Sequence, residues 1–136
     1  MAIARSFRLY LLTISLAFGC LSCGVCAPRP FITSISPNSA IAGGNQFVLT
    51  VNGNDFRRDS LVSWNGSFGV TTFVSSHQLG AAITAADIAQ PGMVLVFVFN
   101  PPETNTPSFS GAIGVGTITR CSGKDSNAVS FTVGGP

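Results

Sequence analysis

Ile32–Phe56 reads ITSISPNSAIAGGNQFVLTVNGNDF, and the rest of the chain is best read outward from it. Ile32, Ser34 and Ser36 alternate with Thr33 and Ile35 until Pro37 stops the run. Gly43-Gly44-Asn45 is a turn signal. Phe47, Leu49 and Val51 then alternate with Val48, Thr50 and Asn52, and Asn52-Gly53-Asn54 turns the chain again. Strand, turn, strand, turn follows, because alternation at period two places successive side chains on opposite faces of a strand. Phe56 closes the unit as an expected core plug.

The same rhythm continues downstream. SLVSW (Ser60–Trp64) is a strand closed by Asn65-Gly66, the strongest short hairpin signal. GVTTFVS (Gly69–Ser75) and QLGAAIT (Gln78–Thr84) are two more strands, the second running into a short helical or turn piece at Ala85–Ala89. Pro91-Gly92 turns the chain into MVLVFVF (Met93–Phe99), which is apolar on both faces and so reads as a central strand. AVSFTV (Ala128–Val133) is the last strand. No amphipathic helical pattern appears. About seven short strands with turn residues between them predict an all-β, immunoglobulin-like antiparallel β-sandwich of two sheets, with Trp64 in the core.

Composition agrees with a packed domain. The chain has 136 residues, is 46% hydrophobic and only 9% charged, and carries 11 Phe. Such a chain can bury a core rather than remain disordered. Its formal charge of +2 includes Arg5 and Arg8, which belong to the leader described next. Beyond them, Arg29, Arg57, Arg58, Arg120 and Lys124 balance Asp55, Asp59, Asp87, Glu103 and Asp125. A neutral body lacks the basic footprint of a nucleic-acid binder.

The first residues have the pattern of an export signal. Arg5 and Arg8 form a basic start, and LYLLTISLAF (Leu9–Phe18) is an apolar run of about ten residues. That is too short to cross about 30 Å of hydrocarbon as a helix. Small residues follow, so residues 1–22 are expected to be a signal peptide cleaved before Cys20 or Cys23, with 23–29 as a tether. A Cys directly after a short apolar run resembles the lipobox of bacterial lipoproteins. That resemblance implies acylation of Cys20 or Cys23, although Ala17 and Cys20 stand where the pattern has Leu. Ordinary secretion and an uncleaved anchor are the other readings. The expected location is therefore the outer surface or periplasm, lipid-anchored or secreted, with membrane contact only through a lipid anchor.

The ordered set of short motifs resembles an IPT/TIG domain. It comprises Ile32, Ile35 and Pro37; Ala42, Gly43 and Gly44; Phe47, Leu49, Val51, Gly53 and Phe56; Val62, Trp64, Asn65 and Gly66; Leu79, Ala81 and Ile83; and Ser126, Asn127, Ala128, Phe131 and Val133. The likeness covers about 30–134. It implies the immunoglobulin-like fold found in cell-surface receptors such as plexins, in Rel-type transcription factors and in exported bacterial proteins, but no single activity. Rel-type members grip DNA with basic loops. The corresponding loop here, Pro37–Asn45, has no Lys or Arg.

One departure is an insertion at about 101–125, where the family usually has a short turn. It contains Pro101-Pro102, a Ser/Thr-rich run and Gly111–Gly116. A connection this long is uncommon without a function or structure of its own. It is either a surface loop or a ligand loop, in which case Phe109, Ile113 and Arg120 are the contact candidates. If the first and last strands pair in parallel, as the family implies, the insertion lies at the end where the first strand begins. Cys26 and Cys121 then share that end. With Cys23 acylated they remain as an even pair, so a Cys26–Cys121 disulfide is expected, contributing about 2–4 kcal/mol.

Catalytic chemistry finds little footing. His77 sits in a turn, and no GxSxG elbow accompanies it. The insertion's glycines run GxxGxG, without the order or following helix of a nucleotide loop. Cys20, Cys23 and Cys26 have CxxCxxC spacing but straddle the cleavage site, and no His lies near them. Asp55 and Asp59, with Asn52 and Asn54, match no Ca²⁺ loop and are explained by turn formation. No catalytic, cofactor or metal residue is therefore assigned. The expected function is a non-catalytic extracytoplasmic binding or structural module contacting a cell-surface protein or polysaccharide. The alternatives are an envelope lipoprotein subunit or spacer and, less favoured, an accessory module of a polysaccharide-acting enzyme. Exposed aromatics, with Phe68 and Phe109 as candidates, would favour sugar, and a flat apolar patch would favour protein.

Overall fold

A computed structural model describes residues 26–103 and 121–136. The described residues form strands β1 (Phe31–Ser36), β2 (Ser39–Ile41), β3 (Phe47–Asn54), β4 (Leu61–Trp64), β5 (Ser67–Phe68), β6 (Thr71–Ser75), β7 (Gln78–Ile83), β8 (Gly92–Asn100), β9 (Lys124–Asp125) and β10 (Val129–Gly134). One sheet has the order β1-β3-β7-β6 and the other β2-β10-β8-β4-β5, with β9 also pairing to β8. The fold is an immunoglobulin-like sandwich. Among the described residues no helix is long and apolar enough to cross a membrane.

All seven expected strands are present, with ends moved by one or two residues, and three short ones join them. The Ala85–Ala89 piece is turn rather than helix. The main changes lie in the first strand. Strict alternation would send Ile32 and Ile35 to opposite faces. The pairing of β1 with β3 instead shifts register between Ile32 and Ser34, and both isoleucines are buried. A bulge of one residue reverses the phase of everything beyond it. β1 ends at Ser36, which is joined to Pro37 by a cis peptide bond. Its continuation, β2, crosses to the other sheet and pairs in parallel with β10, whereas β1 stays antiparallel to β3. The parallel partner of the last strand is therefore β2 and not the first strand.

The core lies between the sheets and is made of the inward positions of each strand. Leu49, Val51, Leu79, Val96, Val98 and Phe131 are wholly buried, and burying each such side chain stabilises by about 1.5–3 kcal/mol. Trp64 packs on Phe131 with ring centroids 4.9 Å apart, and its Nε1 donates to the Asp87 carbonyl at 3.4 Å. Phe56 fills the end of this core. Gly53 is obligatory there, because a Cβ would collide with the Phe31 carbonyl and the Phe56 ring. Asn65 and Gly66 both take positive φ, which lets a two-residue turn join β4 to β5.

The Ser126-Asn127 pair fills the gap between β9 and β10. Ser126 stands in for a strand residue: its amide donates to the Val98 carbonyl at 2.8 Å, and its Oγ accepts from the Val98 amide at 2.9 Å. Asn127 reaches across to the other sheet. Its Oδ1 accepts from the Ile32 amide at 2.8 Å, and its Nδ2 donates to the Ile32 carbonyl at 3.0 Å. A side-chain amide thus satisfies both backbone groups of an edge residue and ties the two sheets together.

Candidate interaction surface

Charge is segregated along the sandwich. Arg29, Asp55, Arg57, Arg58, Asp59, Glu103, Lys124 and Asp125 all gather at the end where β1 begins and β8 finishes. Asp87 is the one described charge at the opposite end. The charged end is organised around Asn100, which is wholly buried. Asn100 accepts from Ser60 Oγ at 2.5 Å and donates from Nδ2 to the carbonyls of Asp55 (2.9 Å) and Pro28 (3.2 Å). Arg57 pairs with Asp59 at 3.2 Å and Glu103 at 3.4 Å, and Arg58 lies 5.5 Å from the Phe73 ring centroid. Exposed pairs of this kind contribute little to stability. Cys26 and Cys121 are joined here, with Sγ atoms 2.05 Å and Cα atoms 5.3 Å apart. The bond links the segment before β1 to the later part of the insertion.

The outward face of the larger sheet is apolar. Along β8, Val94, Val96 and Val98 point into the core, so Met93, Leu95, Phe97 and Phe99 point out. Register places Phe97 beside Ser63 of β4, and Ser63 beside Phe68 of β5. On the other flank lie Ser130 and Thr132 of β10, and Ile41 of β2 at the far corner. Met93 is 71% exposed, Ile41 64%, Phe68 52% and Leu95 50%. Phe68 leans over Phe99 at 5.7 Å and meets Phe97 edge-on at 6.3 Å. Beneath them the Ser63 hydroxyl is buried without a hydrogen-bond partner. The only charge sharing this face among the described residues is Asp125, opposite Phe99 at its foot. The expectation that β8 is central holds. What alternation could not supply is that its second apolar face has no described layer above it.

The other candidates do not assemble into a reactive site. His77 Nδ1 lies 3.1 Å from both the Gly53 carbonyl and Asn54 Oδ1, serving the turn it sits in. Asn52 is engaged by Gln78 and Ser34, and Asp59 by Arg57. No group of three His, Cys, Asp or Glu able to hold a metal occurs among the described residues. A cleft of ≈ 80 Å³ opens between the sheets beside Trp64, Phe68 and Ile83, too small for a drug-sized ligand. The candidates Cys20, Cys23, Phe109, Ile113 and Arg120 lie outside the described residues. Phe68, a candidate exposed aromatic, is exposed. Met93, Leu95 and Ile41 were missed, although the two-faced MVLVFVF run carried the signal for the first two.

A sandwich of this topology, with no reactive cluster among the described residues and an apolar outward face on its larger sheet, belongs to the immunoglobulin-like modules. More narrowly, the sequence profile of the IPT/TIG domain matches residues 30–133, and the chain is a member of that family. The family is one of non-enzymatic modules that usually serve binding or structural roles. No curated protein matches the chain.

Proposed function

We propose that this chain is an exported, non-catalytic binding module whose working surface is the outward face of the β2-β10-β8-β4-β5 sheet. One observation carries the reading: Met93 and Leu95 are 71% and 50% exposed on a strand whose alternate residues are almost wholly buried. Together with Ile41 and Phe68 they expose roughly 500 Å² of apolar surface, the size of the largest patch on a typical monomer, which is often functional. A protein partner fits this face better than a polysaccharide does. Sugar stacking needs open aromatic planes, whereas Phe68, Phe97 and Phe99 are packed on one another. The signal-like pattern of residues 1–22 supports export, with the module held at Cys20 or Cys23 by a lipid or released.

Photo-crosslinking tests the surface. A benzophenone amino acid replaces Leu95 or Phe68 in the full chain, with Val74 on the opposite sheet as control, and whole cells are irradiated. Adducts are expected from Leu95 and Phe68 and not from Val74. Their absence from both positions would refute the assignment. Intact mass of the processed chain reads the anchor: a diacyl or triacyl addition on a chain starting at Cys20 or Cys23 is expected, and an unmodified soluble chain would mean free secretion.

The envelope-subunit reading draws on a different observation. The Cys26–Cys121 link fixes the chain just after the leader to the charged end, so an anchored module would stand with its uncharged flanks sideways, toward neighbours. Co-purification with envelope proteins that survives Leu95→Asp would favour it.

A further inference from the structure

We infer that the outward face of the β2-β10-β8-β4-β5 sheet packs against a second copy of itself about a two-fold axis, an inference that rests on that face being the working surface. The argument is one of self-complementarity. An isologous contact sets each residue of the patch against the same patch, so any net charge on it meets its own sign. The face has none above its foot. Its outward positions are Ile41, Met93, Leu95, Phe97 and Phe68, bordered by Ser130 and Thr132. The described charges lie at one end of the sandwich instead, with Asp87 at the other. A partner chosen by charge would find nothing there to read, whereas an identical apolar face needs nothing else.

Geometry supports the pairing. Two sheets pack face to face about 10 Å apart when each presents side chains that interdigitate. The alternate residues of β8 form such a row, with Leu95 near its middle. Covering the exposed and half-exposed members of the face removes roughly 600 Å² per protomer, or about 1,200 Å² per pair, at the lower edge of specific interfaces. An interface at that lower edge suits a reversible dimer rather than a permanent one.

Sedimentation velocity on the purified product of the full chain, at about 1 to 100 µM, covers the micromolar range of weak, reversible association. The expected result is a concentration-dependent monomer–dimer equilibrium. Leu95→Asp and Met93→Lys weaken it by at least about 100-fold, because each dimer would bury two unpaired charges. Both keep the urea midpoint of the wild-type monomer, read at a dilution where the wild type is undimerised, since neither side chain is in the core, and Val48→Asp on the other sheet leaves the dimer intact. A monomer at every concentration overturns the inference, as does a dimer that survives both β8 variants or is lost equally with Val48→Asp. The Leu95 photo-adduct separates the two claims. At twice the chain mass it supports the second copy. At another mass, or as an internal link to residues 104–120, it overturns the second copy while leaving the face occupied, and absence of adducts from both Leu95 and Phe68 removes both readings.

Discussion

Replacing Asn100 should cost more than any other single polar change at the charged end. Its side chain is fully buried and makes three hydrogen bonds: one accepted from Ser60 Oγ and two donated to the Asp55 and Pro28 carbonyls. Each intramolecular hydrogen bond contributes about 1 kcal/mol net, so Asn100→Ala should destabilise by about 3 kcal/mol. In a body of this size that is a fall in Tm of roughly 12–24 °C. Asn100→Leu sharpens the test. Leu fills the space but leaves two carbonyls facing an apolar group, which also shields them from water. It should therefore lose at least as much as Ala, whereas a role in packing alone predicts that Leu restores stability. The single Trp reports the transition, because Trp64 is packed on Phe131 in the core. Urea titrations followed by its fluorescence give the midpoints. An Asn100→Leu variant within about 0.5 kcal/mol of wild type would refute the hydrogen-bond argument, since surface-like tolerance has that size.

Three further outcomes follow from the same geometry. Gly53→Ala should lower stability by about 1–3 kcal/mol or more, because its Cβ must displace the Phe31 backbone or the Phe56 ring; an unchanged urea midpoint would show that β1 and β3 can part there. Asn127→Ala should cost about 1–3 kcal/mol by leaving both backbone groups of Ile32 without a partner, and native-state hydrogen exchange should show the Ile32 amide losing protection ahead of β3. Reduction of the Cys26–Cys121 link, or its replacement by two Ser, should cost about 2–4 kcal/mol, since the bond closes a loop with a sequence separation of 95. Equal midpoints with and without reductant, or two free thiols by mass, would contradict that.

The strands were readable because each carries its own alternation and its own turn residues. Asn65-Gly66 gave the β4–β5 hairpin, and Phe47, Leu49 and Val51 gave the inward face of β3. What escaped is set by contacts distant in sequence. The Thr33 bulge exists because Ile32 and Ile35 both gain by burial, a gain that no local pattern of ITSIS expresses. The β2 crossover depends on an edge of β10 more than ninety positions away. The roles of Ser126 and Asn127 were visible only as letters of a motif. Their chemistry, the filling of a broken ladder, needed both sheets in place.

The apolar surface was nearer to the page than these. Two readings stood side by side: a sandwich of two sheets, and a β8 sequence, MVLVFVF, apolar on both faces. A strand in a two-layer sandwich has one core face, so the second apolar row needs something else to cover it. Centrality within the sheet does not supply that cover, because neighbours in a sheet lie beside a strand and not above it. Met93 at 71% and Leu95 at 50% exposure are the measure of what remains bare, while Phe97 and Phe99 are partly shielded by Phe68. A two-faced apolar strand in a fold with only two layers therefore argues for a third layer. Its origin, whether a second copy, another protein or residues 104–120, is what the Leu95 crosslink decides.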